Sequence, residues 1–297
     1  MIDFINFYFV PALAIGSVYA LGAVGISMIF GILRFAHFAH GDLMTLGAYG
    51  VLGAMALVPG AHPLLLVPVG AALAVAAALI VDRIFYQPLR ALPTIYTVIA
   101  SFGVALIFRS LLQLFAGSEN KVFIPGVRPP LLLFDTFRIP ALHGQSIVTT
   151  VGIALALNLF LTRSKTGRAM RAVSDDWELA EVSGLDTAKV VRSTWIIGAT
   201  LAAVAGVFAG LDTSAHPNLG WNLLLPMFAA AILGGIGKPM GAMLGGLIIG
   251  MVEELSSYNW IGEQALISPS YMSATAFLIM VVILIFRPQG LFKGRLL

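Results

Sequence analysis

Nine long apolar runs dominate this sequence, at roughly 10–32, 36–58, 64–86, 94–116, 146–162, 193–213, 222–237, 240–256 and 270–287. A helix needs about 20 apolar residues to cross a bilayer, so runs of this kind predict a stack of membrane helices. The 297 residues are 59% hydrophobic and only 10% charged, whereas a soluble domain is about a quarter charged. The expected fold class is an all-α polytopic membrane protein of about 8–10 transmembrane helices, forming one transmembrane domain over 1–297. The runs at 222–237 and 240–256 are short and divided by Gly237-Lys238-Pro239, so they read as two spans or as one re-entrant hairpin. Cysteine is absent, which excludes disulfides, thiolate metal sites and Cys nucleophiles. The start, MIDFINFYF, carries Asp3 and no positive n-region, so the first run is expected to remain as a membrane helix.

Charge is concentrated in one place. The stretch 163–192 holds six of the 17 Lys/Arg (Arg163, Lys165, Arg168, Arg171, Lys189, Arg192) and five of the 14 acidic residues (Asp175, Asp176, Glu178, Glu181, Asp186). Placing it in the cytoplasm brings Arg34, Arg83, Arg90, Lys238, Arg287, Lys293 and Arg295 to the same side. Only Lys121, Arg128 and Arg138 then fall outside, and Arg109 lies within a span. The asymmetry predicts an external N-terminus and a cytoplasmic C-terminus. It does not point to nucleic acid, because these basic residues set membrane orientation.

Between the runs, 117–146 is the longest external connection. Pro125, Pro129, Pro130 and Pro140 predict an irregular loop, either a dock for an extracytoplasmic partner or a plain linker. Gly198, Ala202, Gly206 and Gly210 recur every four residues, and Gly241, Gly245, Gly246 and Gly250 repeat the device. Such small faces let helix backbones approach closely in lipid. Two Gly-interrupted stretches, 35–50 and 232–250, resemble paired broken helices, which point to a midplane binding region. They make His40, Gly41, Asp42, Gly234, Gly235 and Gly237 the candidate substrate-path residues.

Within the charged stretch, Gly167 to Val173 reads as one short helix. Ser174 or Asp175 would cap a second helix, with Glu178 and Glu181 near its start and Gly184 as its terminator. Asp186 or Thr187 would cap the next long helix. Ala169, Ala172, Val173, Trp177 and Ala180 can share an apolar face suited to a groove in another protein. The five carboxylates argue against the same face lying on anionic headgroups.

The pattern Gly167-Arg168-Ala169, Arg171-Ala172, Asp176, Ala180, Gly184 resembles the cytoplasmic loop of LivH-type permeases, membrane subunits of branched-chain amino acid ABC importers. Phe38-Ala39-His40-Gly41 with Gly47-Ala48-Tyr49, Gly234-Gly235-Ile236-Gly237, and Arg287-Pro288-Gln289-Gly290-Leu291 are similar to further motifs of that family, in the family's order. His37 stands where the family commonly has Asn. The resemblance implies an ABC importer permease bundle in a bacterial inner membrane. Gly167, Arg168, Ala169, Arg171, Ala172, Asp176, Trp177, Ala180 and Gly184 would couple it to a separate ATPase. The implied partners are a second, LivM-like permease, two ATP-binding subunits that hold ATP and Mg, and a periplasmic solute-binding protein. No cofactor is expected in this chain.

The remaining polar residues leave alternatives. No phosphate-binding G-x-x-x-x-G-K-[ST] loop is present, so energy must come from a partner or an ion gradient. His37 and His40 lack a third metal ligand, and no metal site is expected. His40 would bond a broken backbone or touch the solute. Asp42 would cap the following helix or relay protons. Arg109 would snorkel, make a polar bundle contact or bind a substrate carboxylate. Glu253 and Glu254 share this ambiguity, and Asp82-Arg83 reads as an interfacial anchor. With no catalytic constellation, an enzyme is not expected. The leading reading is the permease of an ABC importer for branched-chain or related hydrophobic amino acids. The alternatives are an ABC permease for amides or urea, or an ion-coupled secondary transporter using His40, Asp42, Arg109 or Glu253.

Overall fold

A computed structural model describes residues 2–126, 129–133, 137–259, 271–287 and 289–292. Arg128, Pro288, Lys293 and Arg295 lie outside the described residues.

Each apolar run is predominantly helical. The order is α1 (Ile2–Leu33), α2 (His40–Leu57), α3 (Pro63–Leu89), α4 (Thr94–Ala116), β1 (Leu131–Leu133), β2 (Phe137–Ile139) and α5 (Ala141–Arg163). There follow α6 (Lys165–Asp175), α7 (Trp177–Val182), α8 (Thr187–Asp212), α9 (Leu219–Gly234), α10 (Pro239–Leu255) and α11 (Met272–Phe286). Among the described residues, α1, α3, α4, α5 and α8 are each long and apolar enough to cross a membrane. This is the architecture of an all-α polytopic membrane protein.

Three boundaries depart from expectation for physical reasons. The 36–58 run is not helical throughout. Residues 34–39 are irregular, with Arg34 in the left-handed region at φ 59°, and the helix starts only at His40. The 117–146 connection is not wholly irregular either. It carries a two-stranded antiparallel ladder between Leu131–Leu133 and Phe137–Ile139, and α5 already begins at Ala141. The N-terminal helix begins at Ile2, well before the run that marks it.

Helices α1 and α8 form the centre. Their most apolar stretches are 83% and 78% buried, against 22%, 17% and 22% in α3, α4 and α5, which line the flank. Small residues make the central contacts. On α10, Gly246 lies against Ala20 and Gly250 against Gly16, while Gly241 and Gly245 meet Gly234 and Ala230 of α9. One helix thus uses two adjacent small stripes for two neighbours. The turn before α10 reaches Gly31, so α9 and α10 run past α1 from Gly31 to Gly16, about 22 Å of helix axis. They run deep along α1 and do not form a shallow hairpin at its end. Helix α8 applies its own stripe similarly, with Gly206 on the Met44 backbone and Gly198 against Ile29.

A side chain at Gly206 would run into the backbone of Met44, whereas Gly152 of α5 has open space around it. Gly206→Leu should therefore destabilise the bundle by at least about 1–3 kcal/mol. Gly152→Leu should be close to neutral. Thermal unfolding of the detergent-solubilised protein distinguishes them.

Candidate functional site

Because α2 and α9 both begin inside the bundle, their first turns meet. The backbones of Gly41 and Gly220 touch, and a Cβ on either would collide with the other. Thr45 Oγ1 donates to the Gly41 carbonyl at 3.2 Å and accepts from the Gly220 N–H at 3.0 Å, tying the two starts together. Asp42, in the first turn of α2, is fully buried. It does not cap the helix through its side chain. Instead Arg109 of α4 reaches it, with Nη2 3.2 Å from Oδ1 and 3.4 Å from Oδ2, and Nε 3.3 Å from Oδ1. The same guanidinium lies 4.5 Å from the centre of the Trp221 ring, at the start of α9. Among the alternatives for Arg109, the structure shows the polar bundle contact. An ion pair with a cation–π neighbour is how a buried charge becomes tolerable in lipid.

One level away, His37 anchors the irregular 34–39 segment. Its Nε2 is 3.1 Å from Tyr86 Oη of α3, and its ring meets Trp195 of α8 edge-on at 5.0 Å. Tyr86 and Trp195 stack at 5.4 Å. His40, fully buried, rests against Gly25 of α1, two turns before that helix ends. Neither of its ring nitrogens makes a hydrogen bond of normal geometry, although the Gly22 carbonyl is close enough to interact with the ring.

The other glycines predicted for the substrate path lie elsewhere. Gly234 packs on Gly241, Gly235 adopts φ 97°, and the Gly237 N–H donates to Ser27 Oγ at 3.0 Å. They form the α9–α10 turn, at the end of the bundle that bears α6 and α7, and do not join His40, Gly41 and Asp42. The connection that does so, 213–218, carries Pro217 and Asn218 and reads in sequence as an ordinary interhelical turn. Gly220 is an isolated glycine, and Trp221, Tyr86 and Trp195, in or beside apolar runs, read in sequence as ordinary core. Glu253 engages Tyr19, and Asp82 pairs with Arg90 rather than serving with Arg83 as a simple anchor.

The α6–α7 connection is built by caps. Ser164 accepts from the Gly167 N–H at 2.8 Å and starts α6. Gly167 is buried against Phe160 and Leu161, where no larger residue fits, so α6 folds back directly onto the end of α5. The cap of α7 is Asp176, accepting from Leu179 at 3.0 Å, not Ser174 or Asp175. Those two finish α6, which extends further than the short helix expected. Gly184 terminates α7 at φ 80°, with the Leu185 N–H returning to the Ala180 carbonyl, and Asp186 caps α8. The expected shared face divides. Val173 and Ala180 turn into the bundle with Met170, Ala169 and Trp177 are partly covered, and Ala172 is exposed. Arg168, Arg171 and Asp176 are also exposed. Two apolar residues not singled out in sequence, Leu179 at 64% and Val182 at 87%, stand in the open beside them. Between α7 and the end of α1 lies a cavity of about 480 Å³ lined by Arg34, Arg90, Thr94, Thr97, Asp176 and Trp177 among others.

The family model for the branched-chain amino acid transport system permease component matches residues 8–284. The chain belongs to this family. It is 33% identical to the Pseudomonas aeruginosa high-affinity branched-chain amino acid transport system permease protein BraD, over 95% of this chain and 94% of that one. The Escherichia coli permease protein LivH is 32% identical, over 93% and 92% of the respective chains. PsaBC from Streptococcus pneumoniae, solved with a Fab, has a similar fold (TM-score 0.53, 14% identity, 97% and 95% coverage). Among the described residues, the most deeply buried charge, Asp42, lies where two broken helices meet.

Removing one member of a buried pair leaves the other unpaired and costs about 3–5 kcal/mol. Arg109→Ala should show such a loss in thermal unfolding. Asp42→Asn combined with Arg109→Gln removes both charges while keeping polar, hydrogen-bonding side chains and should unfold much closer to the parent.

Proposed function

We propose that this permease is the membrane subunit of an ABC importer for branched-chain or related hydrophobic amino acids. The family match over residues 8–284 carries the reading. It favours this cargo class over amides or urea and ATP coupling over an ion gradient. In this reading, the chain itself hydrolyses nothing. Two separate ATP-binding subunits, which hold ATP and Mg, would power it. A LivM-like second permease would complete the pore, and a periplasmic solute-binding protein would deliver cargo. The membrane would be the bacterial inner membrane, with the N-terminus outside and the α6–α7 connection in the cytoplasm, as the distribution of Lys/Arg favours.

Coupling would act through the exposed side of α6 and α7. Gly167, Asp176, Ala180 and Gly184 set the shape of this elbow. Arg168, Arg171 and Ala172, together with Leu179 and Val182, present a small apolar patch rimmed by charge. Such a patch suits a groove in a partner subunit. Trp177 and Ala169, half-covered, tie the elbow to the bundle, so a push on one moves the other.

Val182→Glu and Ala172→Glu, at exposed positions, should leave the permease folded and membrane-inserted. Each should lower ATP-driven leucine uptake in proteoliposomes holding the complete transporter, on the order of tenfold. Unchanged uptake in both variants would remove this surface from the coupling path.

A further inference from the structure

Beside the Asp42–Arg109 pair lies an aromatic cluster. Phe38 stacks on Phe102 at 4.0 Å between centroids and tilts against Phe228 at 5.3 Å. Phe102 meets Trp221 edge-on at 6.2 Å. Since Trp221 also carries the Arg109 guanidinium, the charge pair and the cluster form one continuous surface. It is open on the flank, with Phe102 38% and Trp221 37% exposed, whereas the Asp42 carboxylate is wholly enclosed.

A polar seam leads away from it. Helix α4 is otherwise one of the least buried helices, yet Thr97, Ser101 and Arg109 face the 34–42 segment. Ser101 Oγ accepts from the Phe38 N–H at 3.2 Å, and Thr94 and Thr97 line the 480 Å³ cavity at the α6–α7 end. Thr97, Ser101 and Arg109 thus place three polar side chains along α4 between the level of that cavity and the charge pair.

We propose that this surface is the transit site for a free α-amino acid with an apolar side chain. Arg109 takes its carboxylate, Asp42 its ammonium, and the aromatic cluster its side chain. The inference rests on the cargo class given under Proposed function. When the site is empty, the two fixed charges neutralise each other, which limits their cost within the membrane. A zwitterion carries the same two charges close together, so it can replace both partners without changing the net charge. A neutral amide cannot. The pair's contacts, 3.2–3.4 Å, are longer than the 2.7–2.9 Å or so of a tight charge-assisted bond, so less is lost when the partners exchange. The neighbouring rings supply an apolar surface of the kind a branched side chain requires.

The test uses the complete transporter in proteoliposomes, with leucine uptake and labelling by photo-leucine, a diazirine analogue that keeps both charges. Under ATP turnover, mass spectrometry is expected to find adducts on Phe38, Phe102 or Trp221. Asp42→Asn combined with Arg109→Gln should cut leucine uptake at least about tenfold and remove the adducts, because each lost charge leaves a charged group of the cargo unpaired. Phe102→Ala, on the exposed flank, should raise the KM for leucine. Adducts confined to other helices, or parental uptake in the double variant, would overturn the proposal. The photo-leucine map needs no variant and therefore does not depend on how well the double variant folds. A parent complex that carries no leucine would overturn the cargo reading itself, and that failure appears before any variant is compared.

Discussion

Helices in lipid gain nothing by hiding leucine from leucine, so their association depends on how closely their backbones can approach. That constraint governs this bundle. Helix α1 is held by α10 through Gly16, Ala20, Gly246 and Gly250, and α8 receives α2 through Gly206. Each contact leaves no space for a side chain. Bulky apolar residues such as Leu21, Ile29 and Met227 fill the space between these contacts, while α3, α4 and α5 show most of their surface on the flank.

Close approach at the centre also makes broken helices possible. A helix that starts inside the membrane presents unsatisfied N–H groups, and these need partners there. Thr45 satisfies one at Gly220 because the two backbones already touch at Gly41. Asp42 lies in the first turn of α2, at that helix's positive end, and its carboxylate is balanced by Arg109. The small residues come first in this chain of dependence, the broken helices second and the charge pair third. The α6–α7 elbow follows a similar logic at the end of the bundle, where Gly167 lets α6 fold back on α5 so that caps fix its shape.

Much of this was legible in the sequence. The apolar runs marked the helices, and α4 appears where its run lies. The four-residue spacing of small residues predicted packing stripes, and the glycine at 184 marked the end of α7. What was not legible depends on neighbours distant in the chain. Periodicity gives a helix face but not what it meets: of the apolar face of α6 and α7 that suits a partner, Val173 and Ala180 pack into the bundle. Asp42 and Arg109 lie 67 residues apart, and nothing local links them. The Gly234–Gly237 cluster looked like the companion of Phe38–Gly41 because both are glycine-rich. The true companion begins at Leu219, where a short turn rather than a motif ends the preceding helix.

The account depends most directly on the meeting of α2 and α9 inside the bundle. The cysteine-free chain permits a clean test. Phe38→Cys, at the entry to α2, and Phe228→Cys, on α9, replace rings whose centroids are 5.3 Å apart; they would be introduced together with a protease site in the exposed Ser183–Gly184 turn, and membranes would be treated with a short disulfide-forming thiol cross-linker, cleaved and run on a denaturing gel. The two fragments are expected to stay joined until a reductant is added. Fragments that separate without reductant, in membranes where the permease is folded, would contradict the account.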